Sequence, residues 1–341
     1  MENNKKPINW IDTRLDLRKE YELPPVILKI DNSIVATLGN FSASAGKEKS
    51  KKTFNVSALT ASLISGKQTL NYKPIIPSHK TKILYADTEQ SDYHCRKVAT
   101  RIQKLTNSSI EELEDKLIFL TLRKYTSEQR IEIIENAIYD NPEVFFVVID
   151  GLRDLVLDIN NPTEATKIMT KLLTWTDDRN IHIHCVLHLN KGDENTRGHL
   201  GTELNNKSES ILQITKDPHD KDRSTVSAKT VRDIAFDDFA FFINEDGLPE
   251  IVDDYSPTDS KPFSYSELSE EMHRKALAEV FNNKESLGYS ELISKLKDAY
   301  LEVAGLQMGV GKTKKLKVFL QNKRMITQAE KNYLINKDYK Y

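Results

Sequence analysis

The chain has almost no cysteine: two in 341 residues, Cys95 and Cys185. Both lie in apolar or helical surroundings, and neither has the spacing of a metal site or a disulfide framework. A reducing, cytoplasmic compartment is therefore expected. Long apolar runs are missing too. None approaches the ~18 residues of a membrane span, and the polar N-terminus lacks the apolar core of a signal peptide. Net charge is the third scarcity. The 49 Lys and Arg nearly cancel the 51 Asp and Glu, leaving −2, with 38% hydrophobic and 29% charged residues overall. That balance excludes a globally basic nucleic-acid coat, so any nucleic-acid contact must be a local patch. No repeat of solenoid period is present.

What is present, from Ile34 on, is an alternation of short apolar runs with longer amphipathic ones. Strands are predicted at Val35 to Leu38, Phe41 to Ala45, Lys82 to Asp87, Leu117 to Leu122, Val144 to Asp150 and Ile181 to Leu189. Helices are predicted after residue 53, at Ser127 to Tyr139 and at Thr163 to Thr176, with an amphipathic segment at Ser91 to Leu105. Such alternation means an α/β fold with a parallel sheet covered on both faces. After Ser208 come consecutive strands near 211–215, 225–231 and 239–243, an antiparallel extension of that sheet. Residues 1–30, charged and carrying Pro24-Pro25, read as a leader on the outside of a core spanning 31–254. A linker over 255–263 precedes a small helical domain at 264–341. Ser264 and Glu267 form a capping-box pattern at the first of its three helices.

The chemistry is organised around Gly46, Lys47, Glu48, Lys49, Ser50, Lys51, Lys52 and Thr53. The stretch lies between an apolar strand and a helix, the context in which loop N–H groups and a helix N-terminus point at one anion. It matches G-x-x-x-x-G-K-[ST] except that Lys51 replaces the second glycine, a position that serves a backbone conformation penalised by a side chain. Read as a phosphate loop it binds ATP, with Lys52 reaching the β- and γ-phosphates and Thr53 ligating Mg²⁺. Read blandly it is a solvated basic turn.

Three strand ends supply the remaining parts of a nucleotide-hydrolysing site. Asp150 closes the apolar run from Phe145 and is the candidate for holding Mg²⁺ through water. Glu89, at the C-terminal edge where open α/β sheets bind ligands, is the candidate for polarising the attacking water, with Asp87 an almost equal competitor. At the end of the strand from Ile181, His188 or Asn190 is placed to read the γ-phosphate, and His182 and His184 are packed or edge residues. A polar, glycine-punctuated loop over 192–201 follows. Within and beside it, Lys191, Arg197 and His199 are candidates for touching a phosphodiester backbone.

This order of motifs resembles the RecA-fold ATPases of the hexameric-helicase branch, DnaB-type and plasmid RepA-type, over roughly Ile34 to Glu250. The resemblance is carried by residues 46–53, Asp87 to Gln90, Val147 to Gly151, His188 to Lys191, Arg197 to Gly201 and Lys207 to Ile214. It implies that Glu89 is the catalytic glutamate, that His188 is the sensor and that the loop after it contacts single-stranded DNA. It also implies a homo-oligomer, a hexameric ring, in which a lysine and an arginine from a neighbour complete the site. Lys229 and Arg232 are the candidates, one residue further apart than the family's Lys-x-Arg. The altered loop resembles ATPases encoded on Bacteroidetes mobile elements.

A second apparent phosphate loop, Gly309 to Thr313, lacks both the first glycine, since position 306 is leucine, and a preceding strand. It reads as the turn into the third C-terminal helix. Lys312, Lys314, Lys315, Lys317, Lys323 and Arg324 make that region basic. A winged-helix or helix-turn-helix module approaching DNA is one reading, a solvated face of an oligomerisation domain the other. The function expected is an ATP-hydrolysing motor on DNA, of replicative-helicase type. Its rivals are a nucleotide-switched DNA-binding regulator or loader, and a kinase-like or clock-type member of the fold without DNA.

Overall fold

In a computed structural model of the chain, the described residues are 9–189, 198–217, 220, 222–252, 255, 265, 268–282, 284–306, 308 and 310–336. Two compact units divide at Ser256 and Pro257.

The first unit opens with β1 (Val26–Ile30), β2 (Ser33–Thr37) and β3 (Phe41–Gly46), then α1 (Lys52–Ser65), β4 (Tyr72–Pro74) and β5 (Lys82–Asp87). Next come α2 (Asp92–Thr106), α3 (Ile110–Lys116), β6 (Leu117–Thr121), α4 (Ser127–Asp140), β7 (Val144–Asp150), α5 (Pro162–Arg179) and β8 (His182–His188). The last part holds α6 (Gly198–Lys207), β9 (Ser210–Lys216), β10 (Arg223–Val231), β11 (Phe239–Ile243) and β12 (Pro249–Ile251). Nine strands form one sheet in the order β12-β11-β10-β9-β3-β8-β7-β5-β6. The six from β9 to β6 run parallel, and β10, β11 and β12 add an antiparallel edge.

The apolar runs make this arrangement stable. β7 is buried at every position, as a parallel strand packed on both faces must be. One face carries Val56 and Leu59 of α1 and Val98 and Ile102 of α2. The other carries Ile134 of α4, Leu172 and Trp175 of α5 and Leu204 of α6. The alternation thus places Ser42 and Ser44 of β3 on the face opposite Phe41, Ala43 and Ala45, which pack in the second cluster.

The stretch read as a leader ends in structure. β1 pairs with β2 and β4 in a separate three-stranded sheet, and Ile27, Leu28 and Ile30 are fully buried. The charges before residue 24 had masked this short apolar run. From Gly198 onward the supposed loop is the helix α6, whose Leu200 and Leu204, four apart, are buried together.

The second unit contains α7 (Glu270–Phe281), β13 (Ser286–Gly288), α8 (Tyr289–Ala304), α9 (Val310–Asn322), β14 (Ile326–Ala329) and β15 (Asn332–Ile335). Its strands pair in the order β13-β15-β14, so three helices and a terminal hairpin make a winged-helix-like domain. Leu277, Leu296, Tyr300, Leu316 and Leu320 are among its core residues. Ser269 caps α7 by accepting from the Met272 N–H at 3.3 Å. The predicted cap, Ser264 with Glu267, lies outside the described residues. α9 begins at Val310, inside the apparent second phosphate loop.

Candidate active site

The C-terminal end of β3 leads into the loop at Gly46. A Cβ there would run into the Ile214 carbonyl oxygen of β9 and the Ser50 hydroxyl, so only glycine fits so close an approach. Lys49 and Lys51 both have positive φ, 62° and 67°. Lys51 therefore adopts the left-handed conformation expected of the missing glycine, and the loop keeps its path at a cost of about 1–2 kcal/mol for a side chain in that region. Lys51 is also the N-cap of α1 and offers it no side-chain hydrogen bond. The first N–H groups of the helix are thus left to an anion.

Lys52 is 6% exposed. Its ammonium donates to the Gly46 carbonyl at 2.8 Å, the Lys47 carbonyl at 2.9 Å and His188 Nδ1 at 3.1 Å. Burial pulls its pKa down to about 8. Because an ammonium only donates, His188 Nδ1 must accept, and the ring proton belongs on Nε2. That nitrogen lies 3.9 Å from Glu89 Oε2. Contact with His188 is the main influence holding the Glu89 carboxyl below its ordinary value. Lys52, His188 and Glu89 thus form one series, brought together because β8 lies beside β3 in the register Gly46 to His188.

Asp150 ends β7 almost wholly buried. Its Oδ2 accepts from the Tyr85 hydroxyl at 2.8 Å and, more loosely, from Thr53 Oγ1 at 3.4 Å. Burial, with the Asp87 charge nearby, raises its pKa to about 6. Sequence reasoning missed Tyr85, although a hydroxyl within the apolar run of β5 was a signal. Its ring stacks on Phe119 of β6 with centroids 4.6 Å apart. Next to Asp150, Gly151 has φ 109°, and a Cβ there would strike the Thr88 hydroxyl.

The two rival carboxylates separate by their surroundings. Asp87 is fully buried and accepts from the Glu89 N–H at 3.1 Å, the Gln90 N–H at 2.8 Å and Gln90 Nε2 at 2.7 Å. It shapes the turn. Glu89 has a side chain 67% exposed. A cleft of about 380 Å³ gathers Lys52, Thr53, Asp87, Glu89, Asp150 and His188 at the C-terminal ends of β3, β5, β7 and β8.

His182 and His184 are buried, and their hydrogen bonds run in one direction. Ser44 Oγ donates to His184 Nε2 at 2.8 Å, His184 Nδ1 to Ser42 Oγ at 2.8 Å, and Ser42 Oγ to His182 Nε2 at 2.7 Å. The chain ends where His182 Nδ1 donates to the Thr37 carbonyl at 2.8 Å, an acceptor that fixes both tautomers. Burial pushes their pKa values down to about 4 and about 3, so both rings are neutral.

The remaining candidates lie elsewhere. Lys229 is the extra residue of a bulge between the pairs Ala228–Leu212 and Thr230–Ile211, which takes up the wider spacing to Arg232. Arg232 donates from Nη2 to the Lys207 carbonyl at 3.1 Å. Neither residue lines the cleft. His199 is exposed on α6, whereas Asn190, Lys191 and Arg197 lie outside the described residues. So do the side chains of Lys312 and Lys315.

No curated protein matches this sequence. Among solved structures, a crystal structure of the RadB recombinase is similar at 16% identity and a TM-score of 0.43, covering 62% of this chain and 90% of that one. The family described as an AAA domain matches residues 12–194, more than half of the sequence; the chain belongs to that family, and its core has the RecA-like P-loop NTPase fold.

Proposed function

We propose that the protein binds ATP with Mg²⁺, hydrolyses it and works as a ring-forming motor on single-stranded DNA, of replicative-helicase type, in the cytoplasm. The observation that carries this reading is the meeting of Lys52, Thr53, Asp150, Glu89 and His188 in one cleft. The loop fits a polyphosphate because its helix N-terminus is uncapped by any side chain and its glycine cradle would not admit a Cβ. Thr53 and Asp150 offer the hard oxygen ligands that Mg²⁺ takes. When bound, that ion supplies charge neutralisation on the phosphoryl oxygens. Lys52 adds a second positive charge, Glu89 orients and polarises the attacking water, and His188 reads the terminal phosphate. Lys229 and Arg232, outside the cleft of their own chain, serve a neighbour's site in a ring.

DNA contact is assigned to Lys191, Arg197 and His199 and to the basic segment from Lys312 to Arg324. On α7 and near α8, Lys275 pairs with Glu271, and Lys284 and Lys295 with Glu291. α9 carries no acidic residue. Its Lys314 and Lys317 have no acidic partner within 4 Å among the described residues, and Lys317 lies over the rings of Tyr289 and Tyr333. Unneutralised cations beside aromatics suit a phosphodiester backbone.

The deciding experiment measures ATP hydrolysis and particle mass by light scattering, each with and without single-stranded DNA. Turnover stimulated by DNA in a ring-sized particle supports the motor. Binding of ATP without turnover favours the switched regulator or loader, and no binding of ATP removes both.

The pH profile follows from the two shifted groups. Asp150 must be ionised to hold a cation and is protonated below about 6. Lys52 must be protonated to hold an anion and loses its charge above about 8. The expected kcat/KM profile is a bell with limbs near those values, since that ratio reports the free enzyme. In kcat the alkaline limb should move upward, because a bound polyphosphate favours the charged lysine. An alkaline limb that stays in place at saturating ATP would falsify the assignment to Lys52.

A further inference from the structure

Two penalties fall on Lys51. Its backbone is left-handed, at φ 67° and ψ 28°, a region that disfavours any residue with a Cβ. Its Nζ is buried and has no hydrogen-bond partner among the described residues, an unfavourable state for an ammonium group. Burial accordingly draws its pKa down, while Asp222 and Asp220, between β9 and β10, pull it up and Lys216 pushes it down. None of these charges makes an ion pair with it within 4 Å. Glycine would remove both penalties.

The cleft supplies a reason for the ammonium. Lys51 lines it together with Lys52 and Thr53. The Lys52 ammonium already spends its donors on two loop carbonyls and His188. Lys51 carries three donors that no described residue receives. We propose that Lys51 is a second phosphate-binding cation of this loop, whose ammonium pairs with a polyphosphate oxygen of the bound nucleotide. The proposal rests on the reading of the cleft as a nucleotide site. It gives the departure from the usual glycine a purpose: an unstable loop in the free protein becomes a better electrostatic match for a highly charged ligand. The strain and the unpaired charge reside where the binding does.

The consequence is a pair of effects of opposite sign. Lys51→Gly should raise the thermal midpoint of the nucleotide-free protein by about 2–4 °C, the shift expected in a domain of this size when backbone strain is relieved. The same substitution should weaken ATP binding about tenfold or more, as the loss of a charge-assisted bond does. Lys51→Gln, which keeps the strained backbone but not the charge, should weaken ATP similarly without lowering the midpoint. Titration calorimetry of the full chain with ATP, ADP and inorganic tripolyphosphate, at several salt concentrations, reads the affinities. The loss should be larger for ATP and tripolyphosphate than for ADP. Lys52→Ala serves as the reference variant. Wild-type affinity in both Lys51 variants, beside a weakened Lys52→Ala, overturns the proposal and leaves the nucleotide site standing. Destabilisation of the free protein by Lys51→Gln also overturns it, because the ammonium is then held by Asp222 or Asp220. Absence of ATP binding by the wild-type chain overturns the proposal and the site reading together.

Discussion

Lys52→Ala is expected to reduce ATP turnover by at least about 10²–10³-fold, the usual effect of removing one preorganised charge donor from a developing anion. The size follows from the burial of the group. A surface lysine is screened by water and replaceable; Lys52 is 6% exposed and held by three partners. It is held in the loop before any ligand arrives, and only one of its three contacts has to give way for it to meet a phosphate oxygen. Stability should change little. The substitution leaves two loop carbonyls and one ring nitrogen without a donor, but it also removes a cation whose burial is itself unfavourable. Circular dichroism and a thermal midpoint within a few degrees of wild type should therefore accompany the loss of turnover. Retention of more than about a tenth of the wild-type rate would mean that the lysine only closes the loop, and the phosphoryl-transfer reading would fail.

The parts of this site were legible in the sequence where one residue type at one strand end was enough. Asp150 and His188 close apolar runs and Glu89 follows one by two residues, and a parallel sheet brings such ends to one edge. What was not legible is how they touch. That His188 bridges Lys52 and Glu89 depends on the placement of β8 between β3 and β7 and on its register, neither of which a linear pattern carries. Tyr85 was lost for the same reason: it reaches Asp150 across the β5–β7 pair. Asp87 and Glu89 could not be ranked from composition, since only the turn shows one carboxylate consumed by three donors.

In the fold, the misses are short elements whose stability is tertiary. α3 buries only Leu113, and its signal was a capping box of Ser109 with Glu112 rather than periodicity. α6 opens at Gly198, which is left-handed and packed so closely on the Ile159 carbonyl that a Cβ would intrude. A glycine-punctuated sequence reads as a loop until that packing is seen. The bulge at Lys229 is likewise a local feature of β10 that the linear sequence does not show.

Glu89→Gln should separate binding from chemistry. The side chain is largely exposed and caps nothing, so an amide of the same shape should leave the fold and ATP affinity within about threefold of wild type. Hydrolysis should fall by about 10²–10⁴-fold, the range for loss of a proton acceptor. The resting geometry sets a further condition. Contact with His188 holds the Glu89 carboxyl below its usual range, which makes it a weak base while that contact lasts. His188→Ala should then cost turnover by two routes, a lost phosphate contact and a free but unoriented glutamate. In the Glu89→Gln background, only the first route remains. A double-mutant cycle on the single-turnover rate should therefore show His188→Ala costing less in that background than in wild type, by about 0.5–3 kcal/mol of coupling. Additive effects would mean that the two residues act separately and that their 3.9 Å approach has no part in catalysis.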